Sequence, residues 1–231
     1  ERGHKSLVMS AGGRLVEKLE NEGSQHFTWP IGKKSPLTFL LAFKLKRFML
    51  EQNIDIVHVR SRMPAWVVRL AFKLMPENKR PMLAGTVHGF YSVNGYSKVM
   101  TYGDKVIAVS DSVKEYILKN YPDTDENKIE VIHRGIDRTL YPFGYKPAED
   151  WMRQWYKDFP QLKDTFVITL PGRITRIKGH HDFISIIKAL IDDGLCVKGV
   201  IAGGTDERKT EYLEELTERI KNENLSEDIL F

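Results

Sequence analysis

The chain has 231 residues, 42% of them hydrophobic and 29% charged, an ordinary globular balance with length for one large or two modest domains. No apolar run approaches the ~18 residues of a membrane-spanning helix, and the single cysteine, Cys196, expected in a buried strand, excludes an internal disulfide and makes a reducing compartment the default. The net charge of +4 is too weak to argue for nucleic acid; it suits acidic small molecules or a contact with anionic lipid.

Apolar runs predict strands over residues 5–10, 25–29, 54–59, 82–87, 105–109 and 128–132, then over 166–170 and 197–202. Helical patterns lie between them, at 15–21, 36–52 and 65–75, where Trp66, Val67, Leu70, Ala71 and Leu74 share a face. Ser112 and Glu115 read as a capping box that opens a helix over 113–120. Strand–helix alternation with short connections predicts an α/β fold, a parallel sheet wrapped on both faces in the Rossmann-like manner. The alternation breaks between Arg138 and Lys163, where Pro142, Gly144 and Pro147 stand among seven aromatic residues, too many for a solvated tether. The expected organisation is a Rossmann-like domain over 1–140, a packed connector over 141–163 and the first part of a second Rossmann-like domain over 164–231. Residue 1 reads as the tail of a helix and residues 228–231 as a strand just begun, so a fragment of a longer protein is expected.

The segment from Phe166 to Ile187 is the most informative. Phe166–Leu170 reads as a strand buried on both faces, ending in Pro171-Gly172, with Arg173, Arg176 and Lys178 following within six residues. Gly179 then opens an amphipathic helix closed by Gly194. Cations on a strand-to-helix turn, beside the positive end of a helix, collect phosphate; the bland reading is a solvated basic loop. The next strand, 197–202, ends in Gly203-Gly204 before the polar helix start at Thr205-Asp206. One cationic turn and one without side chains make a floor for a phosphorylated ligand.

His88 and Gly89 follow the strand over 82–87, at the carboxyl edge where open α/β sheets bind ligands. A histidine there polarises a hydroxyl or donates to a sugar oxygen, unless it is structural. Arg60 and Arg62 end an earlier strand at the same edge, as contacts to an acidic acceptor or as surface charge. Ser110 reads as helix capping, and Arg134 as a hinge contact or a ligand contact. No histidine pairs with Cys, Asp or Glu at metal-ligand spacing, and Asp123-Thr124-Asp125 reads as solvated loop. No nucleophile elbow, Walker loop or dinucleotide fingerprint occurs.

Together these pieces resemble family-4 retaining glycosyltransferases of the GT-B fold and bacterial type, built from two Rossmann-like domains facing each other across a cleft. DIVHVRSRMPAW (55–66) resembles their strand-and-proline segment and TVHG (86–89) their acceptor-side histidine turn. KVIAVS (105–110) and EVIHRGID (130–137) stand in their usual places, GRITRIKG (172–179) is similar to the donor-phosphate motif, and Ala202-Gly203-Gly204 to the glycine turn after it. The resemblance implies that Arg173 and Lys178 hold a nucleotide sugar's diphosphate without a metal, that His88 faces the reacting sugar, and that Gly172, Gly203 and Gly204 give donor-site backbone. Gly89, Arg60, Arg62, Ser110 and Arg134 are candidate acceptor or cleft contacts. Three departures stand out. The family's first strand with its glycine-rich loop and its paired glutamates are absent from these residues, and Arg134 stands where many members have asparagine.

The leading expectation is sugar transfer from a nucleotide-diphosphate donor to a cell-envelope glycan or lipid-linked acceptor, with no cofactor, in the cytoplasm or at the inner face of its membrane. The piece by itself is expected to be inactive. A sugar-nucleotide epimerase and a non-catalytic nucleotide-sugar binding module are the alternatives. Lys33-Lys34 and Lys44–Arg47 give little for nucleic acid, since no aromatic stacking platform accompanies them; a peripheral membrane contact is the partner that basicity implies.

Overall fold

The valine-, isoleucine- and leucine-rich runs of the first half become parallel strands. A computed structural model describes residues 3–204 and 210–231, and its contacts divide the chain into Glu1–Asp137 and Arg138–Phe231. In the first unit the strands are β1 (Leu7–Ser10), β2 (Gln25–Thr28), β3 (Ile56–Val59), β4 (Met82–Val87), β5 (Lys105–Ala108) and β6 (Ile129–Val131). β1 pairs with β2, while β3, β4, β5 and β6 pair in chain order, all parallel. Parallel neighbours need a crossover, and the helices supply it: α1 (Val16–Asn21), α2 (Leu41–Glu51), α3 (Arg62–Lys73), α4 (Gly95–Lys98) and α5 (Asp111–Asn120). Ala42, Leu45 and Met49 on α2 and Ala65, Val68 and Ala71 on α3 bury one stripe each against Val59, Val87, Val106 and Ala108 of the sheet.

The elements depart from expectation at their ends. The helix expected over 36–52 begins as a 3₁₀ turn, Pro36–Leu40, capped by the Ser35 hydroxyl, which accepts from the amide of Leu37 at 3.3 Å. The capping box expected at Ser112 is absent. α5 starts at Asp111 and its cap is Ser110, extended at φ −162°, whose Oγ accepts from the Val113 amide at 3.3 Å. The residue leaving β5 in extended backbone already has cap geometry, and Asp111 follows it at the positive helix end.

The second unit alternates α6 (Glu149–Asp158), β7 (Phe166–Pro171), α7 (His180–Asp192), β8 (Val197–Ala202), α8 (Glu211–Asn222) and β9 (Ile229–Leu230). β7, β8 and β9 pair in that order, all parallel. Its core joins Phe183, Ile184 and Ile187 of α7, Ile201 of β8 and Leu216 and Ile220 of α8. α7 closes as predicted, with the Gly194 amide on Ile191 O and the Leu195 amide on Leu190 O.

Three expectations change here. β7 is not buried on both faces: Phe166 and Val167 are exposed, because among the described residues β7 pairs only with β8 and turns Ile168 and Leu170 to the core. Cys196 is not inside a strand; it is exposed in the turn just before β8. The aromatic stretch is packed only in part. Trp151, Trp155 and Phe159 lie against one another along α6, whereas Tyr141, Phe143 and Tyr145 stay exposed where proline and glycine keep the chain out of a helix. The helix start expected at Thr205-Asp206 lies outside the described residues. Among those described, no helix is long and apolar enough to cross a membrane.

Candidate functional site

In the second unit, the turns after β7 and β8 lie against each other. The Gly172 amide donates to Ala202 O at 2.9 Å and the Ile174 amide to Gly204 O at 3.1 Å, stitching the two loops through backbone alone. A β-carbon on Gly203 would stand 1.8 Å from the carbonyl oxygen of Gly172, so only glycine allows this approach. The chain then passes through a 3₁₀ turn, Arg176–Lys178, and Gly179 at φ 73° swings it into α7. That left-handed residue is the second place where a side chain would be strained.

The three cations of this loop divide into two kinds. Arg176 forms a bidentate pair with Glu215 of α8, at 3.1 and 2.5 Å, with its guanidinium 4.7 Å from the centre of the Tyr212 ring. Its hydrogen bonds hold the Glu215 carboxyl below the usual carboxylate range, with His181, 2.9 Å away, adding to the effect. Arg176 is therefore consumed in joining two helices. Arg173 and Lys178 make no side-chain hydrogen bond or ion pair among the described residues, and the aliphatic stem of Lys178 lies across Gly172. Two unpaired cations, a glycine floor and the amino end of a 13-residue helix form an anion-binding arrangement. Beside it, His180 is fully buried, and its ring nitrogens make no hydrogen bond of normal geometry among the described residues. Burial pushes its pKa down, and the Thr175 backbone offsets part of that.

In the first unit the parallel register carries the carboxyl ends of β3 and β4 to one edge, where His58 Nε2 stands 2.6 Å from Thr86 Oγ1. His88 follows β4. Its backbone amide donates to the Tyr91 hydroxyl at 3.2 Å, and its Nδ1 lies 2.5 Å from a guanidinium nitrogen of Arg134, which follows β6. Burial first, then Arg134, Arg60 and His58, lower the pKa of His88. His58 is lowered by burial and by Arg60. The sheet thus gathers His88, Arg60 and Arg134 from three strand ends.

The other expected residues have different surroundings. Arg62 turns away into the loop after His88, donating to Ser97 Oγ at 3.0 Å and lying about 5 Å over the rings of Tyr91 and Tyr96. Ser110 caps α5. Gly89 has open space where a β-carbon would stand, and Phe90 and Val93 beyond it are exposed. The loop itself is pinned: Trp66 Nε1 donates to Tyr96 O at 3.0 Å, the Tyr116 hydroxyl donates to Tyr91 O, and Asn94 caps α4. Sequence reasoning missed Tyr91, Thr86 and His58. Thr86 and His58 lie inside the segments 86–89 and 55–66 already singled out, without a role given to them, and the signal for Tyr91 was the aromatic run Phe90, Tyr91, Tyr96. Among the described residues, no group of three or more His, Cys, Asp or Glu is arranged to hold a metal.

Comparison with known proteins follows this geometry. The family described as Glycosyltransferase Family 4 matches residues 1–140. Alpha-maltose-1-phosphate synthase of Mycolicibacterium smegmatis is 34% identical over 106 residues, 45% of this chain and 26% of its own. The capsular polysaccharide biosynthesis glycosyltransferase CapM of Staphylococcus aureus is 27% identical over 211 residues, 86% of this chain and 54% of its own. Among solved structures, a glycosyltransferase from Rickettsia africae matches 99% of this chain and 60% of its own, with a TM-score of 0.79 and 29% identity. Anabaena HepE, solved with UDP-glucose, shares the fold at a TM-score of 0.76 and 18% identity, again over 60% of its length. The chain therefore spans between a quarter and about three fifths of these relatives.

Proposed function

Because the chain belongs to glycosyltransferase family 4, we propose that the protein transfers a sugar from a nucleoside-diphosphate donor to a hydroxyl of a cell-envelope glycan or lipid-linked acceptor. The observation that carries this reading is the Gly172–Gly203 backbone contact flanked by Arg173 and Lys178, neither of them paired among the described residues. In the reaction the bond from the anomeric carbon to the β-phosphate oxygen breaks and one to the acceptor oxygen forms. The acceptor's proton is released, and the nucleoside diphosphate leaves. Negative charge grows on the departing diphosphate, and Arg173, Lys178 and the amide end of α7 meet it, so no metal or other cofactor is required. His88 hydrogen-bonds the reacting sugar. Retention of anomeric configuration accords with the family. CapM's name supports an envelope glycan as acceptor, and HepE's ligand makes UDP-sugars the first donors to screen.

The same reading extends to the membrane. Residues 31–50 carry five cations and no acidic residue. Leu37, Leu40 and Phe43 are 73, 62 and 60% exposed, with Lys33, Lys34 and Lys44 close in sequence. This apolar and cationic face fits an anionic lipid surface, and such a contact would bring the enzyme to a lipid-linked acceptor at the cytoplasmic face.

The test is release of nucleoside diphosphate by the full-length protein across a panel of nucleotide sugars. Each charge-assisted contact to the diphosphate contributes roughly 1.5–3 kcal/mol, so Arg173→Ala and Lys178→Ala are each expected to lower kcat/KM at least about tenfold. Addition of EDTA is expected to leave the rate unchanged. Wild-type kinetics from both variants would remove the clamp, and failure to bind any nucleotide sugar would remove the donor reading.

A further inference from the structure

Arg134 and His88 are 46 residues apart in the chain, yet a guanidinium nitrogen of the first lies 2.5 Å from Nδ1 of the second. A guanidinium has only donors, so this bond has one polarity: Arg134 donates and Nδ1 accepts. A ring nitrogen that accepts carries no proton, and the neutral ring must then keep its proton on Nε2. We propose that Arg134 is a positioning residue that locks His88 as the neutral Nε2–H tautomer, so that His88 meets its substrate as a hydrogen-bond donor and not as a general base.

The surroundings agree. The Tyr91 hydroxyl accepts the backbone amide of His88 and fixes the base of the side chain, leaving ring orientation to the Arg134 contact. The groups acting on the ring are Arg134 from the segment after β6, and Arg60 and His58 from the end of β3. His58 is itself engaged with Thr86 Oγ1. Among the described residues, none of the groups acting on the ring is a carboxylate. An aspartate at Nδ1 would favour the imidazolium and make a proton acceptor of Nε2; a guanidinium there does the reverse on both counts. An Nε2–H donor recognises a lone pair, which is what a sugar hydroxyl or the oxygen of a breaking glycosidic linkage presents. Gly89, with no side chain beside the ring and open space around it, leaves room for that contact.

The inference about substrate rests on the proposed sugar transfer, but the lock is a property of the first unit and is tested without substrate. Nitrogen-15 spectra of the histidine rings would be recorded against pH, with His88→Gln identifying the resonance. The expected result is a protonated Nε2 and a bare Nδ1 that persist as the pH falls below the ordinary midpoint of 6.5. In Arg134→Ala the ring is expected to become a mixture of tautomers and to protonate at higher pH, and Arg134→Lys to recover part of both. Kinetics of the full-length protein add a readout that a merely structural role would not move. In Arg134→Ala kcat at neutral pH falls roughly tenfold with donor KM unchanged, and because a protonated ring keeps its Nε2–H, no acid limb of kcat/KM that follows the His88 titration is expected. A proton on Nδ1 of wild-type His88, or an unchanged tautomer and titration in Arg134→Ala, would overturn the lock. A locked ring in a protein that transfers no sugar would keep the lock and discard the functional reading.

Discussion

At residue 203 a single methyl group decides whether the turns after β7 and β8 can meet. Alanine there would put its β-carbon 1.8 Å from Gly172 O, so the two turns must part and the Gly172–Ala202 and Ile174–Gly204 hydrogen bonds stretch. We expect Gly203→Ala to cost about 1–3 kcal/mol of stability by overpacking and to weaken donor binding by more than roughly tenfold, read by calorimetry on the same samples. Gly204→Ala, which meets open space, is the control and should stay within about 0.5 kcal/mol of the parent in stability. At this scale the composition of each loop was legible: Gly172, Arg173 and Lys178 lie in one short turn after a strand, and Gly203-Gly204 end the next strand. The division of labour among the cations was not. Arg176 is committed to Glu215, 39 residues on, and no local pattern announces that pairing.

Between elements, α7 and α8 are joined by a network that titrates. Arg219 donates to the Nδ1 and carbonyl oxygen of His181, whose Nε2 faces Glu215, which in turn takes Arg176. Beside it, His180 has its pKa lowered by burial. The folded chain therefore binds fewer protons at this ring than the unfolded chain does. Stability is complete above the ordinary midpoint of 6.5 and falls as the pH drops from there toward the lowered folded value. His58 and His88 act with the same sign in the first unit. The Glu215 contribution is lost later, as the pH falls below the ordinary carboxylate value of 4.5. We expect urea midpoints of the second unit's transition to decline between pH 7.5 and 5.5, and the decline to be smaller in His180→Phe. An equal decline in both would assign the acid sensitivity elsewhere. The elements themselves were readable from periodicity, and Ser110 and Gly194 as caps, but the capping box placed at Ser112 came too late in the chain. Ser110 and Ser112 are alike in composition, and only the extended backbone at the end of β5 selects the first.

For the whole molecule, the membrane reading is decided by flotation with vesicles. Binding should require phosphatidylglycerol, weaken as salt rises and fall when Leu37, Leu40 and Phe43 are replaced together by serine, because both the apolar and the charged parts of that face contribute. Equal binding to neutral vesicles, or none to anionic ones, would remove that surface from the proposal. What the chain's order of residues determined alone was the sequence of parallel strands and crossover helices, and the glycine-and-cation turn after the seventh strand. Both are local, written in apolar period and in residues a few positions apart. What only the tertiary structure decided was which groups meet: Arg134 with His88, Arg176 with Glu215, Gly203 with Gly172, and Arg62 with the aromatic loop instead of solvent. Each of these meetings depends on strand register and on the stacking of βα turns. Pairing across tens of residues is set by how the sheet closes its ladder and buries its core, and neither leaves a mark in any one stretch of sequence.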